Sequence, residues 1–348
     1  MVRRFNRLAG IILDLRNDGG GSLVDAVNIA GLFIKSGPVV QVKASNGKIQ
    51  VLEDDDTHIE YSGPLVVLVN RFSASASEIV AAALQDYKRA IIVGGEHTYG
   101  KGTVQIGINL TKNLRASVVR ELGDLGGLQL TLEKFYRITG GSTQYKGVTP
   151  DIVLPRLSQH LRSGEKYLDH SLPWDQIGPV AYTSFYGKSV KLDKIQAMSQ
   201  QRVKLEPEWQ TIAKVAKMAD KRGRQTAVSL KLADMRQRMA EARAERKSLR
   251  GQSRSPQTGP YDDEALSASD GPDMEKDAVL TWREELDQDL YVQEAKISLS
   301  ICKDHDTQLS IALRGLGCFS VFSYRLLPYS ENSGNSEAAV VHPDLINP

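Results

Sequence analysis

This sequence of 348 residues lacks the sequence features of disulfide-rich, metal-binding and membrane-spanning proteins. Its two cysteines, Cys302 and Cys318, are too few for a disulfide framework and do not have the spacing of a metal site. No run of 18 uncharged apolar residues occurs, so we expect no transmembrane helix. The first six residues contain no apolar core of a signal peptide. The six histidines form no metal-ligand pattern, so no metal site is predicted.

Charge also excludes one class of partner. The net charge is only +2, which argues against a nucleic acid that binds along the whole chain. Residues 214–254 carry 13 Lys and Arg against 4 Asp and Glu, whereas residues 261–290 carry 11 acidic against 2 basic residues. A basic stretch can bind nucleic acid or a membrane surface. Because the two blocks nearly cancel, we interpret the basic block as a solvated helix and expect no nucleic-acid partner.

Apolar segments alternate with helix-like segments in the first part of the chain. Residues 8–15 read as a strand buried on both faces, and Ser22 with Asp25 three places later is typical of a helix start. This alternation predicts an α/β fold with a mostly parallel sheet and flanking helices. We expect strands at 8–15, 39–42, 48–52, 64–69, 90–93, 103–110 and 128–137, and helices at about 22–34, 75–86, 207–217 and 229–250.

Three serines alternate with alanine at residues 73–77, between an expected strand and an expected helix. A nucleophilic serine needs a base within reach and donors for an oxyanion, and the free N–H groups of a helix start favour negative charge. Ser75 is placed at that start, and Ser73 and Ser77 compete for the role. Close packing of small residues explains the same pattern, so this segment alone leaves both interpretations open.

Lys101 lies between two glycines, twenty-six residues after Ser75. A lysine is a useful base near pH 7 only when burial lowers its pKa well below the free value of about 10.4. Apolar strands are expected on both sides of this turn, although most lysines in glycine turns lie on the surface. Residues 95–101 match most of a phosphate-binding P-loop, but Gly102 stands where Ser or Thr is required.

Residues 17–21 read Asn-Asp-Gly-Gly-Gly and connect the first strand to the first helix. Such a turn can direct backbone N–H groups at an anion, either a phosphate or an oxyanion. No Gly-x-Ser-x-Gly sequence occurs, which argues against an α/β-hydrolase.

Taken together, these motifs resemble the family of carboxy-terminal processing peptidases. The resemblance covers residues 8–155 strongly and 160–295 loosely. It rests on the order of several motifs: residues 13–21 (Leu-Asp-Leu-Arg-Asn-Asp-Gly-Gly-Gly), 70–79 (Asn-Arg-Phe-Ser-Ala-Ser-Ala-Ser-Glu-Ile), 100–105 (Gly-Lys-Gly-Thr-Val-Gln), 134–144 and 146–152.

The resemblance implies a crotonase-like α/β core followed by a mainly helical C-terminal region. It implies Ser75 as the nucleophile, Lys101 as the general base and Gln105 as the residue that orients the lysine. The N–H groups of Gly20 and Ala76 form the implied oxyanion hole. The implied activity is serine endopeptidase cleavage of proteins near accessible C-termini, through an acyl-enzyme and without metal or organic cofactor. The implied location is the periplasm or cell envelope, and an adaptor protein is a candidate partner.

With this resemblance we predict four segments: a protease core at 1–157, a helical domain at 158–250, a linker at 251–275, and an acidic helical segment with an unassigned tail at 276–348. The family's PDZ domain, signal peptide and upstream helices are expected before residue 1. The loop at 94–98 is one residue longer than the commonest family version, which lengthens the spacing from Ser75 to Lys101. The alternative function is an impaired protease fragment that acts as a binding or scaffold module.

Overall fold

The computed structural model describes residues 8–112, 123–185, 192–250, 285–303, 328–329 and 337–341. In chain order the strands are β1 (Leu8–Asp14), β2 (Gly37–Ala44), β3 (Ile49–Asp54), β4 (Leu65–Val69), β5 (Ile91–Gly94), β6 (Thr103–Asn109), β7 (Gly127–Tyr136), β8 (Ile152–Val153), β9 (Pro328–Tyr329) and β10 (Glu337–Val341). The helices are α1 (Leu23–Gly31), α2 (Ala76–Asp86), α3 (Leu192–Leu205), α4 (Pro207–Gly223), α5 (Leu232–Arg250) and α6 (Leu290–Lys303), with 3₁₀ turns at Leu157–His160 and Glu165–Tyr167.

The larger sheet has the strand order β8-β5-β4-β1-β10-β9. Its neighbouring strands are parallel except for the pair β9 and β10. Helix α2 connects β4 to β5, and α1 lies in the longer connection from β1 to β4, in keeping with the predicted alternation of apolar and helical segments. The α/β fold with a mostly parallel sheet and a helical C-terminal region is confirmed.

Both faces of this sheet are covered, which explains why its strands are continuous apolar runs. On one face, Ile11, Leu13 and Val67 pack with residues of α1 and α2 and with the second sheet. On the other face, Ile12, Val66 and Leu68 pack against α3, α4 and α6. The C-terminal helices therefore complete the core that the first residues of the chain begin.

A second sheet of four antiparallel strands has the order β3-β2-β7-β6. Its outer hairpin, β6 and β7, exposes one row of apolar side chains, among them Ile106, Leu128 and Leu130. The alternating pattern predicts these strands correctly. It does not predict that they form a separate sheet, because alternation does not identify the pairing partner.

The C-terminal predictions are confirmed only where the structure describes the chain. The helix expected at 207–217 extends to Gly223, and the one expected at 229–250 begins at Leu232. The predicted linker at 251–275 lies outside the described residues, as does most of the tail. Within the described ranges, no helix is long and apolar enough to cross a membrane.

Candidate active site

Three turns meet at the carboxyl ends of three neighbouring parallel strands. Residues 15–21 follow β1, residues 70–75 follow β4, and residues 95–102 follow β5. Loops that follow adjacent parallel strands lie at the same edge of a sheet, which is where α/β proteins place their binding sites. The sheet thus gathers the glycine turn, the serine segment and the lysine loop, which are separated in sequence.

Ser75 stands at the start of α2 in a strained backbone conformation, with φ of 56° and ψ of −115°. A non-glycine residue with positive φ is uncommon, and such strain concentrates at functional sites. Ser75 is half-buried, and its N–H donates to Oε2 of Glu78 at 2.9 Å. The turn therefore presents the Ser75 side chain at a helix N-terminus, where developing negative charge is favoured.

The structure separates the three serine hydroxyls by their hydrogen bonds. The buried Ser73 hydroxyl donates to the Leu15 carbonyl oxygen at 2.7 Å and accepts from the Asn70 N–H at 2.8 Å. The buried Ser77 hydroxyl donates to the Asp18 carbonyl oxygen at 3.2 Å. Among the hydrogen bonds of the described residues, none is donated by the Ser75 hydroxyl. Two of the three hydroxyls are therefore used to hold the turns together.

The glycine turn is tied directly to the serine turn. The Ala74 N–H donates to the Asp18 carbonyl oxygen at 2.9 Å. Gly20 has φ of 89°, and a Cβ at this position would lie 2.5 Å from the Ala74 carbonyl oxygen and 2.7 Å from the Ala76 nitrogen. Only glycine fits there. The two predicted oxyanion donors, Gly20 and Ala76, are thus brought together.

In this structure the Gly20 N–H donates to Oδ1 of Asp18 at 2.9 Å. The Gly20 N–H can donate a hydrogen bond to an oxyanion only after its hydrogen bond to the Asp18 carboxylate is broken. Asn70 supports the same turn, because its side-chain oxygen accepts from the Asn17 N–H at 3.1 Å and its side-chain nitrogen donates to the Asn17 side-chain oxygen at 2.7 Å.

Buried side chains, rather than a strand ladder, hold the lysine loop. Glu78 accepts from the N–H groups of Gly100 at 2.7 Å and Lys101 at 2.9 Å. The Gly102 N–H donates to Oε1 of Gln144 at 2.7 Å. The Thr143 hydroxyl donates to the Lys101 carbonyl oxygen at 3.1 Å. Each backbone N–H around the lysine has a partner, so the loop has a fixed shape.

Glu78 is fully buried, and this burial raises the pKa of its carboxyl from 4.5 to about 7. Hydrogen bonds from Thr98, Gly100, Ser75 and Lys101 act in the opposite direction and offset only part of the desolvation. A buried carboxyl with an altered pKa between a serine and a lysine is typical of a functional site.

The backbones of the predicted dyad are close, because the N–H groups of Ser75 and Lys101 share Oε2 of Glu78. Lys101 is half-buried, and within the described residues no hydrogen bond joins its ammonium group to the Ser75 hydroxyl. Gln105 lies on β6 and is exposed. Its amide donates to the Thr131 hydroxyl at 3.3 Å and accepts from the Gln129 amide at 3.0 Å. Its predicted role toward the lysine stays a prediction.

Sequence reasoning missed Glu78, Asn70 and Gln144 as parts of the site. Glu78 stands three places after Ser75, which is the spacing of a capping box and could have signalled a backbone contact. Asn70 and Gln144 lie within recognised motifs, but nothing in their local pattern shows that their amides reach other turns.

Comparison with known proteins gives two consecutive matches. Residues 1–154 match the profile of peptidase family S41, and residues 158–304 match that of the C-terminal domain of tail specific protease. The tail-specific protease of Haemophilus influenzae is 48% identical over 183 residues, which are 52% of this chain and 26% of that protein. The chloroplastic C-terminal processing peptidase of Tetradesmus obliquus is 38% identical over 147 residues, 42% of this chain and 29% of that protein.

Among solved structures, the photosystem II D1 C-terminal processing protease is 37% identical, with a TM-score of 0.36 over 42% of this chain and 34% of that chain. The chain spans about a quarter to a third of the length of the relatives named here.

Proposed function

Because residues 1–154 of this chain belong to peptidase family S41, we propose that it carries the catalytic site of a serine endopeptidase that cleaves proteins near their C-termini. The observation that carries the proposal is the state of the three serines. Ser73 and Ser77 donate hydrogen bonds from their hydroxyls to carbonyl oxygens, whereas Ser75 sits at a strained helix start, and its hydroxyl donates no hydrogen bond among the described residues.

The proposed chemistry is acyl transfer. The neutral Lys101 amine removes the proton from the Ser75 hydroxyl as the oxygen attacks the carbonyl carbon of the scissile peptide. The N–H groups of Ala76 and Gly20 bind the resulting oxyanion, the second after it leaves Asp18. Lys101 then gives its proton to the leaving amine, and the acyl group stays on Ser75. Water then attacks this ester as Lys101 takes its proton, and Lys101 passes that proton to the Ser75 oxygen as the acyl–serine bond breaks and the new C-terminus is released.

The proposed proton transfer requires the Lys101 amine to come within hydrogen-bond distance of the Ser75 hydroxyl. Catalytic hydrogen bonds are often absent until substrate is bound. The backbone of both residues is already fixed by Glu78, so the approach involves the flexible lysine side chain. Gln105 is proposed to orient the lysine, which requires its amide to leave Thr131 and Gln129.

Labelling with a fluorophosphonate tests the proposal without a protein substrate. We expect one covalent label per chain, found on Ser75 by peptide mass spectrometry. Lys101→Met keeps the length of the side chain but removes its amine, and should slow labelling by about 10²-fold or more. Lys48→Met, at an exposed lysine, is the matched control and should label normally. A label on Ser77, or equal rates for the two lysine variants, would refute the dyad.

A binding or scaffold module is the second candidate. It is favoured by the missing hydrogen bond between Ser75 and Lys101 and by the occupied Gly20 N–H. A folded chain that takes up no label would support it.

The partners and the location stay predictions from the family resemblance: protein substrates with accessible C-termini, an adaptor protein, and the periplasm or cell envelope. Fractionation of the source cells would test the location.

A further inference from the structure

The carboxylate of Asp289 connects the helical C-terminal part of the chain to the glycine turn. Its Oδ1 accepts from the N–H groups of Tyr291 at 2.8 Å and Val292 at 3.3 Å, and so caps the start of α6. Its Oδ2 accepts from Nη1 of Arg16 at 2.7 Å. Arg16 directly precedes Asn17, the first residue of the turn. One side chain thus joins two regions that are 273 residues apart.

Arg16 is held on both sides. Its Nε and Nη2 donate to the fully buried carboxylate of Asp14 at 2.9 Å and 2.6 Å, and its backbone N–H donates to the same carboxylate at 3.0 Å. Asp289 supplies the second anion. Hydrogen bonds between charged groups are the stronger class, and a planar guanidinium between two carboxylates has little freedom to rotate.

Aromatic packing fixes the start of α6 at this place. The Tyr291 ring is fully buried, with the guanidinium carbons of Arg16 and Arg156 at 5.8 Å and 4.8 Å from its centroid. The Tyr291 hydroxyl donates to the Pro155 carbonyl oxygen at 2.6 Å, and Trp209 packs edge-on at 5.1 Å. The start of α6 is therefore anchored by Tyr291 as well as by the Asp289 cap.

The turn beyond Arg16 is strained and closely packed. Asn17 has φ of 63°, a strained value for a residue other than glycine. Three residues later, Gly20 packs against Ala74 and Ala76 with no room for a Cβ. Arg16 and Gly20 are therefore joined by a short turn with little room to rearrange.

We propose that Asp289 is a positioning residue for residues 17–20, acting through Arg16, so that the C-terminal helical region sets the reactivity of Ser75. The proposal rests on the function proposed above for Ser75 and Gly20. Removal of the Asp289 charge leaves Nη1 of a largely buried guanidinium without its anion. Arg16 then rotates toward Asp14 alone, and the glycine turn loses its fixed starting point.

Asp289→Asn in the full chain is the test, because asparagine retains the oxygen that caps α6 and removes only the charge. We expect the second-order rate of fluorophosphonate labelling at Ser75 to fall about tenfold, the effect of losing one charge-assisted hydrogen bond. Hydrogen exchange should become faster in peptides that cover residues 16–21 and stay unchanged in residues 293–300. Asp287→Asn is the matched control, because Asp287 pairs with Lys296 at 3.0 Å and not with Arg16. It should change neither measurement.

An unchanged labelling rate in Asp289→Asn would overturn the proposal. So would faster exchange along all of α6, because Asp289 would then only dock the helix. If Asp289→Asn does not fold, Asp289→Ser, whose hydroxyl can still cap α6 and which carries no charge, is judged by the same two measurements. If the unaltered chain takes up no label, the proposed function fails, whereas exchange in residues 16–21 still decides whether Asp289 holds the turn.

Discussion

The backbone N–H of Lys101 donates a hydrogen bond to the buried Glu78 carboxylate at 2.9 Å, and the same carboxylate oxygen accepts from the Ser75 N–H at 2.9 Å. The proposed nucleophile and base are therefore placed relative to each other by one group that takes no part in the proposed bond changes. Because Glu78 also belongs to the first turn of α2, its hydrogen bonds tie the helix start to the lysine loop.

Glu78→Gln should impair the site although it keeps the size of the side chain. The glutamine presents an NH₂ group where an oxygen now faces N–H donors, which leaves buried donors unpaired at a cost of about 1–3 kcal/mol. We expect slower labelling of Ser75, by about tenfold or more, and a lower unfolding free energy in urea. Glu60→Gln is the control, because Glu60 is partly exposed and pairs with His58 at 3.5 Å. Equal labelling of the two variants would show that Glu78 does not position the site.

Stability should also depend on pH through Glu78, whose carboxyl pKa burial raises from 4.5 to about 7. The unfolded chain releases this proton near pH 4.5, whereas the folded protein holds it to about pH 7. The contribution to stability is therefore complete below pH 4.5 and is lost as the pH rises to about 7, with a size on the order of 3 kcal/mol.

The measurement is the unfolding free energy of the unaltered chain minus that of Glu78→Gln, obtained in urea between pH 4.5 and pH 8. Other titrating groups cancel in this difference. We expect it to decrease as the pH rises, and a difference that does not change with pH would contradict the altered pKa.

Local patterns predicted the parts of this site but not their connections. The strand at 8–14 and the helix after Ser75 follow from apolar runs and capping residues, which are properties of adjacent residues. The hydrogen bonds from Gly100 and Lys101 to Glu78 join residues more than twenty places apart, and hydrophobic periodicity carries no information about them. Likewise, the three serines look equivalent in sequence and differ only in which carbonyl oxygens the fold brings near them.

Ser77→Ala should separate structure from chemistry at the serine segment. Its hydroxyl bonds to the Asp18 carbonyl oxygen at 3.2 Å, so its loss should lower the unfolding free energy by about 1 kcal/mol. Labelling of Ser75 should continue at a rate within a few-fold of the unaltered chain. Ser75→Ala should show the reverse result, with no label and little loss of stability. Mass spectrometry and urea unfolding of both variants distinguish these outcomes.

Gln144→Met should loosen the lysine loop. Gln144 is fully buried, accepts from the Gly102 N–H at 2.7 Å and donates to the Leu172 carbonyl oxygen at 2.9 Å. Methionine fills similar space but leaves both backbone groups unpaired, at about 1–3 kcal/mol each. We expect a lower melting temperature and faster hydrogen exchange in residues 100–105. Gln210→Met, at an exposed glutamine on α4, controls for the substitution and should change neither. Unchanged hydrogen exchange in residues 100–105 of Gln144→Met would show that Gln144 does not hold the lysine loop.

The glycines beside Lys101 limit how this protein can be re-engineered or can evolve. A Cβ at position 100 would lie 3.0 Å from the Tyr145 carbonyl carbon, and one at position 102 would lie 2.6 Å from the Gln144 nitrogen. Neither neighbour can therefore carry a side chain, and an amine lost from position 101 cannot be replaced from the next position along the chain. A library randomised at residues 100–102 and selected for labelling should return glycine at positions 100 and 102. Close packing at these two positions thus restricts the proposed base to position 101.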